Sequence, residues 1–129
     1  PRNWASSNKT RGDLLMIEYV DPAPTFCRAV KHNGVIYFSG HCDGKKHDTI
    51  AGQTQALCER YEELLEQHGS DKDHLLFVTI YISDLSLKDE MNKVWDAWLN
   101  PGHAPARVCV EAKIPEGYFL EMSVVAALK

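Results

Sequence analysis

The stretch LLFVTIYISDLSLKDEMNKVWDAWLNPGHAPARVCVEAK, Leu75 to Lys113, decides the fold. Its first eight residues, Leu75 to Ile82, are β-branched, aromatic or aliphatic and too few for a typical helix, which predicts a central strand. A helix follows from about Ser86 to Leu99. Leu87, Met91, Val94, Trp95, Trp98 and Leu99 fall on one face of it, and Ser86 and Asp89 are spaced like a capping pair. Asn100-Pro101-Gly102 ends that helix, and Arg107 to Lys113 returns as a second strand.

On the C-terminal side, Pro115-Glu116-Gly117 turns the chain into a further strand, Tyr118 to Leu128. On the N-terminal side, FCRAVKHNGVIYFSG (Phe26 to Gly40) holds two β-rich runs flanking Asn33-Gly34, a pair that tolerates the positive φ angles of a type I′ hairpin turn. The charged, glycine-punctuated HCDGKKHD (His41 to Asp48) reads as a loop. From Ile50 to His68, Thr54, Leu57, Cys58, Tyr61, Leu64 and Leu65 recur every three or four residues. Glu59, Glu62, Glu63 and Glu66 lie opposite, so the segment is an amphipathic helix stopped by Gly69. Ile17, Tyr19 and Val20 make a short strand-like piece ended by the Asp21-Pro22-Ala23-Pro24 breaker. Residues Pro1 to Leu15 are polar and aperiodic and read as a flexible extension, native or a tag remnant, ahead of a single domain at 16–129.

The order strand, hairpin, helix, strand, helix, strand, strand is that of an α+β fold, a mixed sheet with two helices on one face. Two helices cover only that face. Leu75 to Ile82 and Val124 to Ala127 are apolar on both sides, so the opposite face also needs burial, and we expect a homo-oligomer with sites at its seams.

At 129 residues, 44% of them hydrophobic, the chain builds a core without staples. Cys27, Cys42, Cys58 and Cys109 form no CxxC pair and read as reduced thiols, which fits a cytoplasmic setting. No apolar run is long enough to span a membrane, so no membrane partner is expected. The net charge of −4 argues against an extended phosphate-tracking surface and so against nucleic acid as a partner.

Chemistry concentrates in Ala104-Pro105-Ala106-Arg107-Val108-Cys109-Val110-Glu111. Strand alternation sets Arg107, Cys109 and Glu111 on one face and Val108 and Val110 on the other. The planar fork of Arg107 matches a carboxylate bidentately; the alternative is a solvated arginine paired with Glu111. Glu121 interrupts an apolar strand, where desolvation would raise its pKa and suit it to general acid–base work, unless it is simply an exposed edge residue. His41, Cys42 and His47 lack the paired spacing of a zinc site, and no metal is expected. Nothing local activates Cys42 or Cys109 as a nucleophile. Ser39-Gly40 closes a strand with a hydroxyl and a backbone open to close approach. Trp95 and Trp98 read as core.

Tyr37-Phe38-Ser39-Gly40, Gln53-Thr54-Gln55, Met91-Asn92, Ala104 to Glu111 and Leu120-Glu121 together resemble the Rid (YjgF, reactive intermediate deaminase) family, also described as endoribonuclease L-PSP, over essentially Met16 to Lys129. MNKVWDAWLNPGHAPARV is most similar to its YoaB-like branch. The resemblance implies a chorismate-mutase-like α+β domain whose homotrimer encloses a central barrel of sheets, with pockets between subunits. It implies cofactor-independent hydrolysis of 2-imino or enamine acids to 2-oxo acids and ammonia. By position, Arg107 would hold the carboxylate and Glu121 would orient or deprotonate water. Cys109 would offer backbone groups to the imine, with Ser39, Gly40 and Asn92 lining the pocket and Phe26 standing where the family has a tyrosine. A non-catalytic trimer binding small oxo acids, and an endoribonuclease or translation inhibitor, are the competing expectations.

Overall fold

Asn33 and Gly34 adopt φ of 53° and 79°, the left-handed pair a type I′ turn requires, and they join β2 (Cys27–His32) to β3 (Val35–Phe38) as an antiparallel hairpin. This is seen in a computed structural model that describes residues 16–129; the expected extension at 1–15 lies outside the described residues. Strand β1 (Glu18–Pro22) pairs antiparallel with β2. It runs through Asp21-Pro22 instead of ending before them, because an edge strand needs no N–H from Pro22 on its open side.

Helix α1 (Ile50–Gln67) begins at Thr49, whose hydroxyl accepts from Gly52 N at 2.9 Å. Strand β4 (Leu75–Ile82) leads through a 3-10 turn at Leu85–Leu87 into helix α2 (Lys88–Trp98), and β5 (Ala106–Glu111) returns parallel to β4. The expected Ser86–Asp89 capping pair does not form. Asp84 instead accepts from Ser86 N at 2.8 Å and caps the 3-10 turn, which feeds α2 directly, with Asp89 and Glu90 left in its first turn. Strand β6 (Leu120–Ala127) starts later than expected, because Phe119 N donates to the Gln53 side chain and not to a ladder.

The six strands form one mixed sheet in the order β1-β2-β3-β6-β4-β5. One face lies under the two helices and holds the core. Val78, Ile80 and Ile82 of β4 and Leu120, Met122, Val124 and Ala126 of β6 are buried there with Leu57, Tyr61, Leu65, Met91 and Trp95 of the helices. The other face carries a row matched strand to strand across the sheet, Tyr19, Val30, Tyr37, Val125, Phe77 and Ala106. Tyr19, Tyr37 and Phe77 in that row are exposed, as are Leu76, Val108 and Val110. All four cysteines are free thiols. Among the described residues, no helix is long and apolar enough to cross a membrane.

Candidate active site

Arg107 sits on β5, an edge strand, opposite Val78, and therefore on the helix-covered side of the sheet. Its Nη1 donates to Asn92 Oδ1 of α2 at 2.8 Å, and its guanidinium carbon stands 5.8 Å from the centre of the Trp95 ring. Trp95 is thus both core and floor beneath the guanidinium. Periodicity could not assign that second role to an apolar-face tryptophan. Among the described residues no carboxylate forms an ion pair with Arg107. Glu111, the rival partner, accepts instead from Leu85 N at 2.9 Å. Cys109, two residues on, is half-buried on the same side.

Glu121 lies opposite Tyr81 on β6, and therefore on the bare side of the sheet. It forms a second cluster. Cys42 Sγ donates to Glu121 Oε1 at 3.7 Å, and a Cβ at Gly40 would collide with Glu121 Oε2, so only glycine lets the carboxylate approach that backbone. Burial first, and then the neighbouring Glu121 charge, push the Cys42 thiol up to about 11, so it stays a protonated donor near neutral pH. Ser39 Oγ donates to Cys27 O at 2.6 Å, which fixes the strand exit beside Gly40. Phe26, one residue before Cys27, is exposed.

The residues expected to share a pocket therefore fall into two groups in one chain. Arg107, Asn92 and Cys109 stand at the β5 edge on one face; Glu121 with Ser39, Gly40 and Cys42 stands at β6 on the other, with β4 between them.

Two buried polar side chains hold the Glu121 cluster. Gln53 Nε2 donates to His47 O and Gly117 O at 2.8 and 2.9 Å, and its Oε1 accepts from Phe119 N at 2.8 Å, tying α1 to both flanking loops. The Tyr61 hydroxyl lies 2.8 Å from Met122 O and 3.2 Å from Ser39 O and shares its single proton between them. Burial above all pushes the Tyr61 pKa up. Neither role was readable from spacing, since a glutamine on an apolar helix face carries no signal of its partners. The side chains of His41, Cys42 and His47 go separate ways: His41 toward Arg60, Cys42 toward Glu121, and His47 Nδ1 onto Asp43 at 2.6 Å. Among the described residues no three potential ligands converge on a metal position.

An edge-strand arginine held by an asparagine, a loop-clasped glutamate on the opposite sheet face and an uncovered apolar sheet face characterise this small α+β domain. The family model described as Endoribonuclease L-PSP matches residues 16–128, and the chain belongs to that family, the YjgF or Rid family. It is 33% identical to the RutC family protein YoaB of Escherichia coli over 88% of this chain and all of that one. It is 32% identical to protein HMF1 of Saccharomyces cerevisiae over 81% of this chain and 85% of that one. Among solved structures, NMB1025 of Neisseria meningitidis, a member of the YjgF family, superposes with a TM-score of 0.84 at 36% identity, covering 90% of this chain and 98% of that one. The similarity to YoaB agrees with the branch that the α2–β5 motif suggested.

Proposed function

We propose that the chain hydrolyses 2-imino acids, or the enamines in equilibrium with them, to 2-oxo acids and ammonia, in clefts between the subunits of a homotrimer. The observation that carries this reading is the state of Arg107: half-buried, steered by Asn92 and Trp95, and without an acidic partner among the described residues. A guanidinium so held is a ready receptor for a substrate carboxylate.

The asparagine occupies one N–H of Arg107, which leaves a pair of donors for bidentate contact. The protonated imine carbon is already electrophilic. Glu121 accepts a proton from water as the oxygen bonds to that carbon, then returns that proton to the amino group of the tetrahedral adduct, so that ammonia departs as the C–N bond breaks and the hydroxyl gives up its proton to form the carbonyl. General-base assistance of this kind contributes about 10²- to 10⁴-fold, so positioning plus one carboxylate suffices without a cofactor. Cys42 occupies Oε1 of Glu121, and Oε2 lies against the Cβ-free face of Gly40.

The placement of Arg107 and Glu121 on opposite faces of one sheet supports a cleft in which a second copy supplies one of them. The uncovered row from Tyr19 to Ala106 is the surface by which copies would meet.

The test couples an amino-acid oxidase that releases imine in situ, with semicarbazide as trap, to the purified protein and to Arg107→Ala. Imine loss faster with wild type than with the variant supports the deaminase. Equal rates across several imino acids, together with calorimetric binding of 2-oxobutanoate, would replace it with a non-catalytic acid-binding trimer.

A further inference from the structure

A cavity of about 170 Å³ opens between α1 and the β1–β2 edge of the sheet. Arg28, Arg60, His41 and His68 line it, with Asp21 and the apolar wall of Ala29, Phe38 and Leu64. Four of the five polar walls are basic side chains in a chain whose net charge is −4. Neither arginine forms an ion pair with a carboxylate among the described residues, Asp21 included. Two arginines lining one small space, neither in an ion pair among the described residues, raise its positive potential, and an anion bound there lowers it.

His41 gives the cavity a built wall. It is 7% exposed and stands edge-on to the Tyr61 ring with centroids 5.4 Å apart. Arg60 Nε donates to its Nδ1 at 3.3 Å, so in the neutral ring the proton sits on Nε2, which becomes a fixed donor. Burial first, then the charges of Arg60 and Arg28, hold the His41 pKa down at about 4, so the ring is neutral near neutral pH. The backbone of His41 is itself pinned to β6 by paired bonds with Met122 of 2.8 and 3.0 Å. The basic wall is therefore anchored to the central sheet.

We propose that this cavity is a binding site for a phosphate-sized oxyanion, either free phosphate or the phosphoryl group of a small metabolite, with Arg28 and Arg60 as its ligands and His41 as a neutral donor. The planar forks of the arginines suit the edges of a phosphate group, and the volume admits the phosphoryl group but not a nucleotide base beside it. This site shares no residue with the imine site, and its existence does not depend on that activity.

The test is thermal unfolding of the full chain in a chloride buffer at fixed ionic strength, titrated with inorganic phosphate and, separately, with glycerol 3-phosphate. Calorimetric titration serves as the second readout. A ligand that binds only the folded state raises the melting temperature by about 5 °C at ten times its Kd. The expected result is a rise that grows with the logarithm of ligand concentration, with a saturable heat in the calorimeter, both of which Arg28→Gln and Arg60→Gln each reduce or abolish and Arg107→Gln leaves unchanged. Both arginines are exposed, so these variants keep the core. A larger rise with one ligand distinguishes free phosphate from a phosphoryl group. No rise and no heat with either ligand overturns the proposal. So does a response that persists in both cavity variants, or one that only Arg107→Gln removes, because the anion would then occupy the imine site.

Discussion

The two faces of the sheet are built from the same strands and have opposite fates. Under the helices, Val78, Ile80 and Ile82 are fully buried and Leu57, Tyr61 and Trp95 close over them. On the reverse, Tyr37 and Leu76 are 46% and 45% exposed, and Phe77, Val108 and Val110 are scarcely less so. One face completes the fold within a single chain; the other presents apolar surface of a kind that monomers seldom leave uncovered. Arg107 belongs to the finished face and Glu121 to the unfinished one. The contrast separates two requirements: the helix face completes the domain within one chain, while the candidate site residues are divided between the two faces, Arg107 on the covered one and Glu121 on the bare one.

The sharpest way to break the contrast is at Arg107. Arg107→Lys keeps the charge but loses the fork that Asn92 orients, and turnover of an imine substrate should fall by at least about 100-fold with the melting temperature unchanged. Steady-state kinetics beside a thermal scan would show it, and a fully active lysine variant would refute the carboxylate clamp.

Next come two substitutions that should fail differently. Leu57→Ala on the finished face should cost about 2–5 kcal/mol in urea unfolding, because it removes a fully buried side chain from between α1 and the sheet. Phe77→Glu on the bare face should leave the secondary structure in place and change the assembly, which light scattering reads as a drop from trimer to monomer, with activity lost alongside. If Phe77→Glu stayed trimeric, the bare face would not be the seam.

A smaller effect is expected at Gln53. Gln53→Leu keeps the bulk but strands the Phe119 N–H and two loop carbonyls, for about 1–3 kcal/mol measured by chemical denaturation. The smallest concerns acid. Burial of Asp43 alone would raise its pKa, but the His47 backbone N–H, the His47 ring and the Lys45 backbone N–H outweigh it and hold the carboxyl below its usual range. A depressed folded-state pKa contributes stability above about pH 4 that is lost as pH falls through the folded value. Wild type should therefore lose more stability than Asp43→Asn when unfolding is compared at pH 6 and pH 3.

Much of this division was legible beforehand. Periodicity located both helices, the β4 run and the Asn33-Gly34 turn, because each is a local pattern that tertiary packing reinforced. Alternation along Arg107 to Glu111 set the arginine apart from Val108 and Val110, though not which face was covered, and the double-sided apolarity of β4 and β6 announced the bare face. Non-local chemistry was not legible. The Asp84 cap displaced the Ser86–Asp89 pair because a 3-10 turn intervenes, and nothing in the spacing of Gln53, Cys42 or Trp95 indicates the distant atoms they meet. The separation of Arg107 from Glu121 depends on register across β4, which only the folded sheet defines.

The central claim is that one active cleft takes Arg107 from one copy and Glu121 from another. Arg107→Ala and Glu121→Gln proteins, each inactive alone, would be mixed one to one, unfolded, refolded together and assayed for imine hydrolysis. Random reassembly puts both intact residues in about a quarter of the clefts, so the mixture should recover about a quarter of the activity of wild type refolded in parallel. A mixture that reassembles yet stays as inactive as its two components would contradict the account.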